Sequence, residues 1–142
     1  MNLYLDSSAW VKLYVAEPGQ PELIQAVSHA NLLVSHLIAY AEVHAAFAKR
    51  LRMEDLTEAA YDQCLAQFES DWADTLVIQV DGTIVHNAAE MAFTYGLRGY
   101  DSIHLAAAHF FHQQSGEPLY FACFDKRLNA AARSLGLQFL SY

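Results

Sequence analysis

The chain has 142 residues, 54% of them hydrophobic, and a formal charge of −8; this is enough apolar material for one domain with one core and too much for a disordered segment. No apolar run approaches the roughly 20 residues that span a bilayer, and Met1-Asn2-Leu3-Tyr4-Leu5-Asp6 lacks the basic start and cleavage site of a signal peptide, so no membrane association is expected. Cys64 and Cys123 form no Cys-x-x-Cys pair, which argues against a disulfide framework or a thiolate zinc site and fits a reducing cytoplasm.

Asn2 to Asp6 is predicted as a short buried strand. Ser7 and Ser8 are placed to cap a helix through Trp10, Val11, Leu13 and Tyr14, which Glu17-Pro18-Gly19 breaks. Pro21 to Ala30 is a second helix, with proline in its first turn. Leu32-Leu33-Val34 is a brief strand. Leu37 to Arg52 is a helix ending in Lys49, Arg50 and Arg52, the sign its dipole favours there. Thr57 to Trp72 is helical, with Leu56, Ala60, Cys64, Leu65 and Phe68 along one face. Leu76 to Val80 is a strand. Thr83 to Tyr95 and Tyr100 to Gln114 are helices stopped by Gly96 and Gly116. Leu119 to Phe124 is a strand, Lys126 to Leu135 a helix stopped by Gly136, and Leu137 to Leu140 a closing strand. Strands alternating with helices or helix pairs imply an α/β domain with a parallel sheet and helices on both faces.

The negative charge is unevenly spread. Met53 to Leu97 holds nine acids and neither Lys nor Arg, which reads as a solvated helical face; the rest of the chain carries all eight basic residues against seven acids. Four of those seven stand out: Asp6, Glu42, Asp101 and Asp125. Asp6 and Asp125 close apolar runs that read as strands. Asp101 opens an apolar helix. Glu42 has Ile38, Ala39, Ala45 and Ala46 three and four residues away, surroundings a surface Glu should not have. A buried carboxylate needs a partner; a metal, or hydrogen bonds from Ser7 or Ser8, would supply one. Each Asp alone is explained by helix capping. Two look like strand exits and two sit on apolar helices. Carboxylates at strand carboxyl ends of an open α/β sheet converge on one crevice, and four brought together there would repel one another and call for a hard divalent cation with oxygen ligands, Mg²⁺ or Mn²⁺.

The ordered segments resemble the PIN-domain ribonucleases, particularly VapC-type toxins. Leu5-Asp6-Ser7-Ser8-Ala9-Trp10-Val11-Lys12-Leu13-Tyr14 with Glu17-Pro18-Gly19 is similar to the family's opening. Ala41-Glu42 falls on its second motif, Arg98-Gly99-Tyr100-Asp101-Ser102-Ile103-His104-Leu105-Ala106 on its third, and Phe124-Asp125-Lys126-Arg127-Leu128-Asn129 on its fourth. The resemblance implies a PIN-like three-layer α/β/α domain over residues 1–142 with a central, mostly parallel sheet. It further implies Mg²⁺- or Mn²⁺-dependent endoribonuclease cleavage of RNA, a small antitoxin as cognate inhibitor, and a homodimer. Asp6, Glu42, Asp101 and Asp125 are then the catalytic metal ligands. Ser8 is expected to support the carboxylates or a metal water, and Arg98, Lys126 and Arg127 to contact phosphates.

One position departs from the family. Two residues before the last acid it usually has Thr or Ser, and here Cys123 stands. Strand alternation would point Cys123 to the side of Asp125, into the metal pocket, with a thiol softer than Mg²⁺ prefers. Elsewhere, His109 and His112 could share a helix face, but there is no His-Glu-x-x-His to make a zinc site. His104 is expected to pack in the core, with a hydrogen bond near the site as the alternative. Trp10, Tyr14, Phe110 and Phe111 are expected in the core or an interface. Asp6-Ser7-Ser8-Ala9-Trp10 is not the Asp-x-Asp-x-Thr of a haloacid-dehalogenase-type fold, and no phosphate-binding glycine loop occurs. The competing readings are a PIN-like module that binds RNA or protein without cutting, and a nuclease directed at DNA.

Overall fold

The structure, a computed structural model, describes residues 1–140; the last two residues of the expected 1–142 domain lie outside the described residues. The elements run β1 (Asn2–Leu5), α1 (Ser7–Tyr14), α2 (Gln20–His29), β2 (Leu32–His36), α3 (Ile38–Arg52), α4 (Glu58–Ala73), β3 (Leu76–Ile78), α5 (Gly82–Tyr95), α6 (Gly99–Ser115), β4 (Leu119–Ala122), α7 (Lys126–Ser134) and β5 (Gln138–Phe139). The strands form one sheet in the order β3-β2-β1-β4-β5. Every neighbouring pair is parallel. Helices therefore cover both faces, as parallel sheets require.

Alternation along the strands divides the core. Leu3 and Leu5 face α1–α4, where Trp10, Leu23, Val43, Phe47 and Phe68 are buried. Tyr4, Val34 and Phe121 face α5–α7, with Ile84, Leu105, Leu128 and Ala132. Trp10 locks the first of these layers to the sheet. Its ring meets Phe68 edge-on at 5.3 Å, its indole N–H donates to Ser35 Oγ at 3.1 Å, and Ser35 Oγ donates to the Leu5 carbonyl at 2.8 Å. A buried indole N–H thus has a partner, as such groups require.

All strands but β2 end earlier than the apolar runs imply; β2 instead runs on to His36, two residues past Val34. β1 stops at Leu5 because Asp6 takes the cap of α1, a role the sequence also offered to Ser7 and Ser8; these two instead occupy the first turn. β3 ends at Ile78 rather than Val80, and β4 at Ala122 rather than Phe124. Residues 123–125 turn into α7, whose cap is Asp125. β1 is the strand at which the chain reverses direction across the sheet: β2 and β3 lie to one side of it and β4 and β5 to the other. The crevice at such a reversal, beyond the strand carboxyl ends, is where open α/β sheets bind ligands. Asp6 and Asp125 stand on its two sides.

Candidate active site

The local chemistry of helix starts fixes three of the four acids. Asp6 Oδ1 accepts the Ala9 N–H at 2.9 Å and the Ser8 hydroxyl at 2.7 Å. Asp125 Oδ1 accepts the Leu128 N–H at 2.8 Å. Asp101 is in the first turn of α6 but is not its cap, a position held by Arg98; its Oδ2 lies 3.2 Å from Arg98 Nε. Glu42, in the second turn of α3, places Oε1 2.7 Å from His104 Nε2. The partner that the apolar neighbours of Glu42 demanded is thus His104, and not Ser7 or Ser8. Ser8 instead serves Asp6, and its Oγ accepts the Phe124 N–H at 3.3 Å.

Each carboxylate therefore commits one oxygen to the protein. Among the described residues the second oxygens, Asp6 Oδ2, Glu42 Oε2, Asp101 Oδ1 and Asp125 Oδ2, take no hydrogen bond. All four acids line one cleft of about 580 Å³ with Ser7, Ser8, Arg98, Gly99, Tyr100 and Phe124. Asp6 is the deepest, at 4% exposure. Burial pushes its carboxyl from the ordinary 3.8 up to about 6, against the opposing pull of His104, Ser8 and the Ala9 N–H, while the charge of Asp101 adds to the rise. A buried carboxyl with a like charge nearby is stabilised as an anion by a cation.

The donor set fits a hard divalent metal. It is all oxygen and carries up to four negative charges. Among the described residues no three Asp, Glu, His or Cys side chains close into a ready-made cage. Such an open arrangement suits a Mg²⁺-like ion, which keeps several of its waters beside its carboxylate ligands.

Arg98 is on the cleft rim with its side chain 82% exposed. Lys126 and Arg127 line an adjoining hollow of about 330 Å³ that shares Arg98, Asp101 and Asp125 with the cleft. Arg127 is partly committed, because its Nη1 donates to the Gly96 carbonyl at 2.9 Å. On the other flank, a second hollow of about 330 Å³ shares Ser7, Ser8, Glu42 and Phe124 and adds Lys12 and Arg50. Lys12 Nζ sits 3.8 Å over the Phe124 ring, and Glu17 holds both cations, Arg50 at 2.6 Å and Lys12 at 3.6 Å. Sequence reasoning did not single out Lys12 or Arg50. Arg50 lies eight residues, about two helical turns, beyond Glu42, so the shared face was there to be read.

Cys123 is not a cleft residue. It lies past the end of β4, so strand alternation no longer governs its direction, and it is fully buried in the layer facing α5–α7. Its Sγ donates to Asn129 Oδ1 at 3.1 Å, and Asn129 Nδ2 returns a bond to the Cys123 carbonyl at 3.1 Å. The acids are still close enough to matter: burial first, then the charge of Asp6, push the thiol far above its ordinary range.

This arrangement of four acids around a strand-end crevice has a match along the sequence. The description "PIN domain" fits residues 3–134. The chain belongs to the PIN-domain family. Ribonuclease VapC45 of Mycobacterium tuberculosis (strain CDC 1551 / Oshkosh) is 34% identical over 135 residues, covering 94% of this chain and 91% of the relative. Among solved structures, the M. tuberculosis VapC20 toxin, described as Sarcin-Ricin loop cleaving, has a TM-score of 0.65 at 15% identity, over 91% of this PIN domain's chain and 94% of its own. A toxin–antitoxin complex from Klebsiella pneumoniae has a TM-score of 0.59 at 18% identity, over 83% of each chain. At those identities the likeness carries the fold, a three-layer α/β/α PIN fold whose sheet is parallel throughout. No helix among the described residues is long and apolar enough to cross a membrane.

Proposed function

We propose that this PIN-domain protein is a Mg²⁺- or Mn²⁺-dependent endoribonuclease, the toxin of a toxin–antitoxin pair, built as one domain over residues 1–142. The observation that carries the reading is the set of four carboxylates, each with one oxygen held by the protein and one left over, around a single cleft at the reversal of the sheet. Kinship to a protein named Ribonuclease VapC45 over nearly the whole chain supports RNA as the polymer.

Asp6, Glu42, Asp101 and Asp125 would hold the cation. When bound, it supplies Lewis acidity, lowering the pKa of an attacking water and offsetting charge on the leaving oxygen. Water is the nucleophile, so no Ser or Cys is consumed. The helix-cap hydrogen bonds on Asp6 and Asp125 fix their carboxylates before substrate arrives, which is the preorganisation that electrostatic catalysis needs. Arg98, Lys126 and Arg127 on one flank, and Lys12 and Arg50 on the other, would draw RNA phosphates to a site whose own charge is negative.

The partner of the regulatory pair is a small antitoxin, and the active assembly a homodimer. Kinship to a VapC ribonuclease and a shared fold with a chain of a toxin–antitoxin complex support the pairing. A basic antitoxin side chain placed among the four acids would compete with metal. The test of function is incubation of the purified protein with a total RNA pool in Mg²⁺, in Mn²⁺ and in EDTA, with the cut ends mapped. Discrete cuts in metal and none in EDTA are expected; full cleavage in EDTA, or cleavage of DNA alone, overturns the reading. Sedimentation at micromolar concentration should give the mass of a dimer, and a monomer would remove that element of the proposal.

A further inference from the structure

We propose that His104 is a positioning residue for the metal site, acting through Glu42 with Tyr4 behind it; the inference rests on the function proposed above. Three elements meet in this contact. Tyr4 is on β1, His104 on α6 and Glu42 on α3. Tyr4 Oη lies 2.8 Å from His104 Nδ1, and His104 Nε2 lies 2.7 Å from Glu42 Oε1. Tyr4 and His104 are both fully buried. Among the described residues the Glu42 carboxylate has no other protein hydrogen bond. His36, the other buried imidazole nearby, uses Nδ1 to accept the Ile38 N–H at 3.1 Å and makes no bond to Glu42.

The proton directions follow from the groups. An ionised carboxylate only accepts, so His104 Nε2 carries the hydrogen. With the imidazole neutral and its hydrogen on Nε2, Nδ1 accepts from the Tyr4 hydroxyl; protonated, both ring nitrogens donate, and the bond to Glu42 is the same in either form. Tyr4 is itself held flat on Phe121, with ring centroids 5.4 Å apart and planes at 12°. The relay thus ties Glu42 to the rigid centre of the sheet. Glu has three side-chain torsions and, at half-buried depth, room to turn toward solvent. With Oε1 fixed by His104, Oε2 is the oxygen presented to the cleft.

Groups that orient metal-binding carboxylates typically govern affinity by about 10–100-fold. The test is calorimetric titration of Mn²⁺ into the purified full chain without RNA. His104→Leu is expected to bind Mn²⁺ about 10–100-fold more weakly. His104→Gln, whose amide keeps a donor within reach of Glu42, should recover most of the loss. Tyr4→Phe, which retains the stacking on Phe121, should weaken binding in the same direction and by less. In a Glu42→Gln background, His104→Leu should cause no further loss. A merely structural role would lower the melting temperature in EDTA without that dependence on Glu42.

Wild-type Mn²⁺ affinity in His104→Leu, or losses that simply add to those of Glu42→Gln, would overturn the inference. Should His104→Leu fail to fold, Tyr4→Phe combined with Glu42→Gln gives the same cycle, and additive losses there overturn it equally. Failure of the wild type itself to bind Mn²⁺ overturns both this inference and the metal-dependent function. Tight wild-type binding with an unaltered His104→Leu overturns this inference alone.

Discussion

Asp6→Asn separates the stability of the site from its activity. Folding moves the Asp6 carboxyl from 3.8 to about 6. Because the folded form holds the proton more tightly, the stability linked to this group is fully present below about pH 4 and is lost as pH rises through about 6. At pH 7.5, without metal, the ionised carboxylate costs the fold about 3 kcal/mol. At pH 4.5 the same linkage leaves a cost of about 1 kcal/mol. Asn removes the charge and keeps the cap, since its carbonyl still accepts from the Ala9 N–H and the Ser8 hydroxyl. Asp6→Asn in EDTA at pH 7.5 should therefore melt roughly 5–10 °C above wild type, with the difference shrinking by pH 4.5. Adding Mn²⁺ should raise the melting temperature of the wild type and do less for the variant. Thermal denaturation followed by circular dichroism at the two pH values measures this. A variant no more stable than wild type at pH 7.5, or a gain that ignores pH, would refute the burial reasoning.

Three further outcomes are expected. Phe68→Ala, which empties a fully buried ring position beside Trp10 and Trp72, should cost about 3–5 kcal/mol in urea unfolding; a loss under 1 kcal/mol, on the order of a surface substitution, would mean that layer is not tightly packed. Cys123→Thr should leave the Mg²⁺-to-Mn²⁺ preference of cleavage unchanged, because the side chain faces Asn129 beneath the cleft; Cys123→Ala should cost about 1 kcal/mol for the lost hydrogen bond, and a changed metal preference would put the thiol back among the ligands. Arg98→Ala with Lys126→Ala, measured as RNA binding in an Asp101→Asn background, should reduce the salt slope of log affinity by about 1.4; an unaltered slope would remove both from the phosphate path.

The sequence carried the architecture because buried strands are short apolar runs and each helix has its own stop signal. Gly96 and Gly116 end α5 and α6 at φ 66° and 67°, left-handed positions that favour glycine. It carried the meeting of Asp6 and Asp125 for a related reason: in an open α/β sheet, residues at strand carboxyl ends share one edge whatever the loop lengths, while Glu42 and Asp101 reach that edge from the N-terminal ends of α3 and α6. Strand ends were less legible, since the apolar character of Cys123 and Phe124 continues past Ala122 and only tertiary pairing shows that the ladder has stopped. This is why Cys123 was aimed at the cleft. The link from Glu42 to His104 joins residues 62 positions apart and has no local signature. The one available hint was that His104 stands three residues after Asp101, on the same helical face. Lys12 and Arg50 were hidden similarly, because their grouping with Glu17 is made by the packing of α1 against α3.

The claim that these four carboxylates form one metal-dependent centre is tested most directly by single-turnover cleavage of an RNA that the wild type cuts, at saturating Mn²⁺, across Asp6→Asn, Glu42→Gln, Asp101→Asn and Asp125→Asn. Removing a group in direct contact with the metal should cost more than the roughly 10–100-fold typical of outer groups. Each variant is therefore expected to remain folded and to lose at least about 100-fold in rate, with wild-type activity abolished by EDTA. Wild-type rates in any one of the four would take that residue out of the centre, and wild-type rates in all four, or undiminished cutting in EDTA, would contradict it outright.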